Sequence, residues 1–157
     1  MAGFHVCQDG HVVNAVPPLD INGTGFTSDR FKLGLYTHAS FLLQIGANNG
    51  ASVITVEECD AESGGTTRPI GFKYAKEETA LGDTLSALAN ASSTGISTHA
   101  SEDNILYLLE IDASELSNGF PYVCVKGSDP SASVLVSGVA ILSGARYAGE
   151  ITPTAIT

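Results

Sequence analysis

Tryptophan is absent from the 157 residues, methionine occurs once, and positive charge is scarce, with 7 Lys and Arg against 17 Asp and Glu. The formal net charge of -10 repels phosphate backbones and the anionic leaflet of a membrane, so neither direct nucleic-acid binding nor membrane association is expected. No apolar run is long enough for an ordinary membrane helix. The opening MAGFHVCQDGHVV has no basic start and no long apolar stretch, so a signal peptide is not expected. Cys7, Cys59 and Cys124 are odd in number and widely scattered. They supply neither a complete disulfide framework nor the close spacing of a zinc knuckle, and read as buried free thiols in a reducing compartment. Phosphate-binding loop, dinucleotide fingerprint, GxSxG and HExxH patterns are all missing.

What is present favours sheets. Hydrophobic residues make up 43% of the chain, enough for one domain with a real core, and Gly, β-branched and hydroxyl residues fill much of the rest. Short apolar or alternating runs predict strands near 38–46, 51–60, 68–75, 104–112, 121–128 and 133–143, bounded by Gly, Pro and Asn turns. Gly138, inside the longest run, marks a bulge or a close backbone approach. The expected fold class is all-β: an antiparallel β-sandwich or jelly-roll-like barrel with one or two short helices. One helical candidate is KEETALGDTLSALANA, where Leu81, Leu85 and Leu88 are spaced like a face around Gly82. The other is DASEL, where Asp112 and Glu115 form a capping-box pattern. Domain organisation is read as an N-terminal arm and lead-in over 1–30, a β-sandwich domain over 31–147, and a C-terminal tail over 148–157. Within the arm, HVVNAV suits a short strand that PPLDINGTG then breaks.

Candidates for chemistry are few. In TVEECDAESGG, adjacent side chains of an extended strand face opposite ways, which separates Glu57 from Glu58 and places Glu57 with Cys59. No histidine lies nearby in sequence to activate the thiol. The stretch therefore reads as a strand with an inward Cys59, ending in an acidic turn closed by Gly64 and Gly65. HVCQDGH sets His5 and His11 around Cys7 and Asp9 without an established metal spacing. DINGTG has the oxygens of a calcium loop but not its carboxylate count, so Asp20 and Asn22 are assigned to the turn. No metal and no cofactor is expected. Catalysis would require His38, His99 or the acidic cluster to converge in a pocket. Arg30, Arg146 and Tyr147 are rare cations and an aromatic flanking apolar strands, suited to internal ion pairs or to a subunit contact. With the arm residues Phe4, Val6, Val12, Val13 and Val16, they form the candidate interface. An apolar arm needs a surface to cover it, and it can add a strand to its own domain or to a neighbour.

The pieces VEECDA, IDASEL, DPSAS and ILSGARY, in that order between residues 11 and 147, carry a further signal. On them the chain resembles a family of small tailed-bacteriophage structural proteins, associated with the head or capsid. That resemblance implies a non-enzymatic virion protein, of the capsid decoration (cement) kind, that binds and stabilises the assembled head. It implies a major capsid protein or another virion protein as partner, a homo-oligomer, and a place on the capsid surface after assembly in the host cytoplasm. The alternative is a tail, collar or fibre-associated β-domain that binds a glycan or another virion protein. The family brings no catalytic residues with it.

Overall fold

The computed structural model describes residues 5–146 and 156. Its strands are β1 (Gly10–Asp20), β2 (Phe26–Thr27), β3 (Phe31–Lys32), β4 (Tyr36–Asn48), β5 (Val53–Cys59), β6 (Thr67–Ile70), β7 (Phe72–Lys76), β8 (Ala89–Ala91), β9 (Ile96–Ser97), β10 (Ile105–Asp112), β11 (Tyr122–Gly127) and β12 (Val134–Ala145). They form two antiparallel six-stranded sheets. The first runs β1-β12-β4-β10-β7-β8; the second runs β2-β11-β5-β6, with β3 also on β11 and β9 on β5. Among the described residues no ladder joins the two sheets, so this is a sandwich arrangement and no closed barrel.

Alternation explains which residues meet in the middle. Along β4, Ala39, Phe41, Leu43 and Ile45 are buried, while His38, Ser40, Leu42 and Gln44 face outward. β10 repeats the pattern with Ile105, Tyr107, Leu109 and Ile111. The second sheet contributes Phe31, Ile54, Val56, Val123 and Val125. Phe31 and Phe41 stack across the core with ring centroids 6.4 Å apart. Gly138 makes the close approach that its sequence position implied. It pairs with Leu43 in the β12–β4 ladder, and a Cβ there would lie 2.7 Å from Phe41 Cζ.

Among the described residues helix is confined to one turn, α1 (Val6–Asp9), and two 3-10 turns, Leu33–Leu35 and Ala113–Glu115. The second 3-10 turn carries the expected capping box between Asp112 and Glu115. The segment 76–91 is not a helix, contrary to the leucine spacing. Glu77 bridges Leu85, Glu78 N–H donates to the Thr84 carbonyl at 3.0 Å, and Ser86 N–H donates to the Lys76 carbonyl at 2.8 Å. These bonds fold it as an extended loop, and no core surface lies under a leucine face to stabilise a helix. A second correction concerns 68–75, which is two strands in different sheets. β6 pairs with β5, β7 pairs with β10, and Gly71 lies between them.

The segment 10–20 pairs with β12 as the edge strand of the first sheet. It continues through Pro17 and Pro18 because an edge strand does not need every N–H, and its register shifts at Asn14/Val16 and Val16/Leu19 absorb the distortion.

The Phe41–Gly138 contact is testable. Phe41→Ala is expected to lower the unfolding free energy by about 3–5 kcal/mol, measured by urea titration. Gly138→Ala is expected to cost about 1–3 kcal/mol through overpacking. That cost should shrink in a Phe41→Leu background, because a smaller side chain yields to the added methyl.

Candidate functional site

Outward-facing residues of the first sheet form its most distinctive surface. The β4–β10 register places His38 opposite Asp112 and Ser40 opposite Glu110. His38 Nδ1 lies 2.8 Å from Asp112 Oδ1, and Nε2 lies 2.5 Å from Glu110 Oε2. Ser40 Oγ donates to Glu110 Oε2 at 2.7 Å and lies 3.4 Å from His38 Nε2. Lys73, on β7, stands 3.8 Å from the other oxygen of Asp112, and Ser143 on β12 is paired with His38. Partial burial by itself draws the imidazole pKa down, but hydrogen bonds and charge from Asp112 and Glu110 outweigh it and the net shift is upward.

A serine, a histidine and a carboxylate in a row resemble a nucleophile with its base, but the geometry defeats that role. Both ring nitrogens face carboxylates, which favours the protonated imidazolium, and the Ser40 proton points at Glu110. A protonated ring cannot accept the serine proton. The cluster is a cross-strand charge network. It was hidden in the sequence because HAS and EID show only that His38 and Ser40 share one face and Glu110 and Asp112 share another; their register brings the two pairs together.

Below this network the same face turns apolar. Leu42 pairs with Leu108 on one side and Val139 on the other. Val139 pairs with Asn14, and Ile141 with Val12. Val12 is 50% exposed, Val139 36% and Leu135 46%, so a band of large apolar side chains meets solvent on the outside of the sheet.

The other singled-out residues that are described lie in different environments. Val13 and Val16 are buried in the core at 2% exposure each, whereas Val6 on α1 and Val12 on β1 are exposed. Phe4 and Tyr147 lie outside the described residues. Arg30 donates to the carbonyls of Ala61 at 2.6 Å and Gly64 at 2.5 Å, pinning the acidic turn. Arg146 Nε donates to the Tyr36 carbonyl at 3.2 Å. Glu57, Glu58 and Asp60 of TVEECDAESGG are divided among structural contacts. Glu57 lies 2.6 Å from Lys126 Nζ, Glu58 accepts from Ser117 N–H at 2.7 Å, and Asp60 accepts from Thr66 N–H at 2.8 Å. Glu58 shares the inter-sheet side with Ile54 and Val56. Cys59 is buried, as expected, but on the opposite face with Glu57, where its sulfur is 3.7 Å from that of Cys124. Burial raises the pKa of both thiols, pushing Cys124 up to about 12. Asp20 accepts from Asn22 N–H, Val134 N–H and Ser133 Oγ, so it serves the turn and ties it to β12. His5 N–H donates to Asp9, and His11 packs near the Tyr36 ring. Among the described residues no three His, Cys, Asp or Glu side chains gather as a metal-holding group.

The remaining cations are also engaged. Lys76 pairs with Glu102, Lys32 lies 5.9 Å from the Tyr122 ring centre, and Arg68 lies 4.4 Å from that of Phe120. Together with Arg30, Lys73, Lys126 and Arg146, these account for all 7 Lys and Arg of the chain. A groove of about 500 Å³ beside β8 is lined by Tyr74, Lys76, Asn90, Ser92, Ser97 and Tyr107 among others. Glu102 accepts from both Lys76 and the Tyr107 hydroxyl at one end of it. No protein-family model matches the chain, and no curated protein sequence matches it.

Two measurements follow from these environments. Because the folded-state pKa of His38 is raised, its stabilisation is fully present below the ordinary histidine pKa and fades as pH rises through the folded value. Urea midpoints should therefore fall more between about pH 6 and about pH 8 in the wild type than in His38→Gln. In the native protein, an aromatic disulfide reagent should label Cys7 rapidly and leave Cys59 and Cys124 unlabelled until denaturant is added.

Proposed function

We propose that the protein is a non-enzymatic virion structural protein, a capsid decoration protein that binds and stabilises an assembled tailed-phage head. In this reading it acts on the capsid surface as a homo-oligomer, after assembly in the host cytoplasm, with the major capsid protein or another virion protein as its partner. The observation that carries the reading is the outer face of the first sheet. A sandwich standing alone in water favours polar side chains there, yet Val12, Leu42, Leu108, Leu135, Val139 and Ile141 occupy it. Such a face gains stability from being covered by protein. The His38–Glu110–Asp112 network beside it supplies a polar rim of the kind found around apolar contact cores. Phage identity rests on the sequence resemblance, with which this surface is compatible.

For the fold, the finer reading that accompanies this function is a jelly-roll-like sandwich, an architecture that capsid proteins use repeatedly. The groove beside β8 supports a second reading, a tail, collar or fibre-associated domain that holds a glycan. Half-buried Tyr74 contributes an aromatic side chain, and Lys76, Asn90, Ser92 and Ser97 offer hydrogen bonds.

Virions assembled with and without the gene for this protein test the proposal. Subunit-level density should place the protein on the head. Heads lacking it should release DNA at a lower temperature, and purified protein added back should restore the difference. Density on the tail, collar or fibre instead selects the second reading. Virions without any copy of the chain overturn both.

A further inference from the structure

Three of the most exposed large apolar side chains lie on one short loop. Leu81 is 81% exposed, Leu85 42% and Leu88 59%, all between β7 and β8. The loop is held in place by the rest of the fold. Besides the Glu77–Leu85 bridge and the bonds from Glu78 and Ser86, Leu81 N–H donates to the Asn104 carbonyl at 3.2 Å. Lys76 N–H also donates to Ser86 Oγ. Leucines on an ordered loop lose little backbone freedom on contact, so burying them favours association more than the same residues on a floppy segment would.

Charge identifies what they contact. Glu78 and Asp83 are exposed on the loop, and no Lys or Arg occurs between Lys76 and Lys126. Each of the chain's 7 cations already has a carboxylate, carbonyl or ring partner within its own fold. A second copy carries the same formal net charge of -10 and would bring net repulsion to this acidic rim. We propose that the leucine loop 78–88 is the docking element for a different protein, one whose surface carries an apolar groove rimmed by lysine or arginine. The inference rests on the capsid-binding reading for the identity of that protein, which is then the head shell. The loop is separate from the apolar sheet face.

Purified heads that lack the protein serve as the probe. Wild-type protein should bind them with an affinity that falls as salt rises. The variant Leu81→Ser/Leu85→Ser/Leu88→Ser should bind at least about 10-fold more weakly, as expected for removing a set of central apolar anchors. Its thermal midpoint and its number of subunits per particle in solution should match the wild type, because these side chains are outside the core. Glu78→Lys/Asp83→Lys should also weaken binding and reduce its salt dependence. Unchanged head binding by the triple-serine variant overturns the loop as docking element and leaves the capsid reading standing. A drop in the number of subunits per particle in that variant overturns the assignment to a foreign partner. Failure of the wild type to bind heads overturns the capsid reading and, with it, the partner named here.

Discussion

Packing across the two sheets at Phe41 is the constraint on which the other features depend. Its ring lies over a glycine on β12 and stacks against Phe31 from the opposite sheet. β4, which carries it, is paired on both sides, to β12 and to β10. Fixing the inward side of β4 fixes the outward side as well, since a slip of one residue would exchange the two faces. His38, Ser40 and Leu42 are presented to solvent because Ala39, Phe41 and Leu43 are not. The polar network and the apolar band on the outer face are consequences of core packing as much as of their own chemistry.

The distribution of charge follows from the same arrangement. With 17 acids to place and 7 cations to offset them, the fold uses each cation at a point of structural need. Arg30 holds the turn after β5, Lys126 neutralises Glu57 across the β5–β11 ladder, and Lys76 joins Glu102 at the open side of the sandwich. Burial alone would raise the pKa of Glu102, but the hydrogen bonds from Lys76, Tyr107 and the His99 backbone lower it overall. Many of the other acids, among them Glu78, Asp83 and Asp129, lie on loops and turns. The result is a surface with a large excess of negative charge.

Strands were legible in the sequence wherever β-branched residues alternated over a long stretch. VITVEEC, ILYLLEID and VLVSGVAIL lie in strands close to their expected bounds, because burial on one or both faces demands those residues. A two-sheet sandwich was among the expectations, but which strand belongs to which sheet was not legible. Nothing local distinguishes a glycine inside one strand from Gly71, where the chain passes from one sheet to the other. Prolines misled in the opposite direction: Pro17 and Pro18 read as a break, yet an edge position tolerates them. At Leu81, Leu85 and Leu88 the helical spacing was real, but spacing predicts a helix only if a surface exists to receive its face, and that is a property of the whole fold. The site suffered the same loss, since the His38 network is made of pairs from strands separated by more than 60 residues of chain.

Edges decide how such a sandwich can associate. β1 is the long edge strand of the first sheet, and an open edge of that length invites pairing with another chain. Here it is obstructed. Asp29 N–H donates to the Ala15 carbonyl at 3.0 Å, Pro17 and Pro18 have no N–H to offer, and two register shifts bend the strand. At the other edge β8 is only 3 residues long. Strand addition is therefore disfavoured over the second half of β1 and limited at β8. Apart from Val6 on α1 and Val53 on β5, the exposed large apolar side chains among the described residues lie on the outer face of the first sheet and on the loop 78–88, both of which bury area through side chains. Association of this protein is accordingly better suited to face packing and loop docking than to extension of its sheets, and side-chain contacts of that kind are where a single substitution can alter one partner without unfolding the domain.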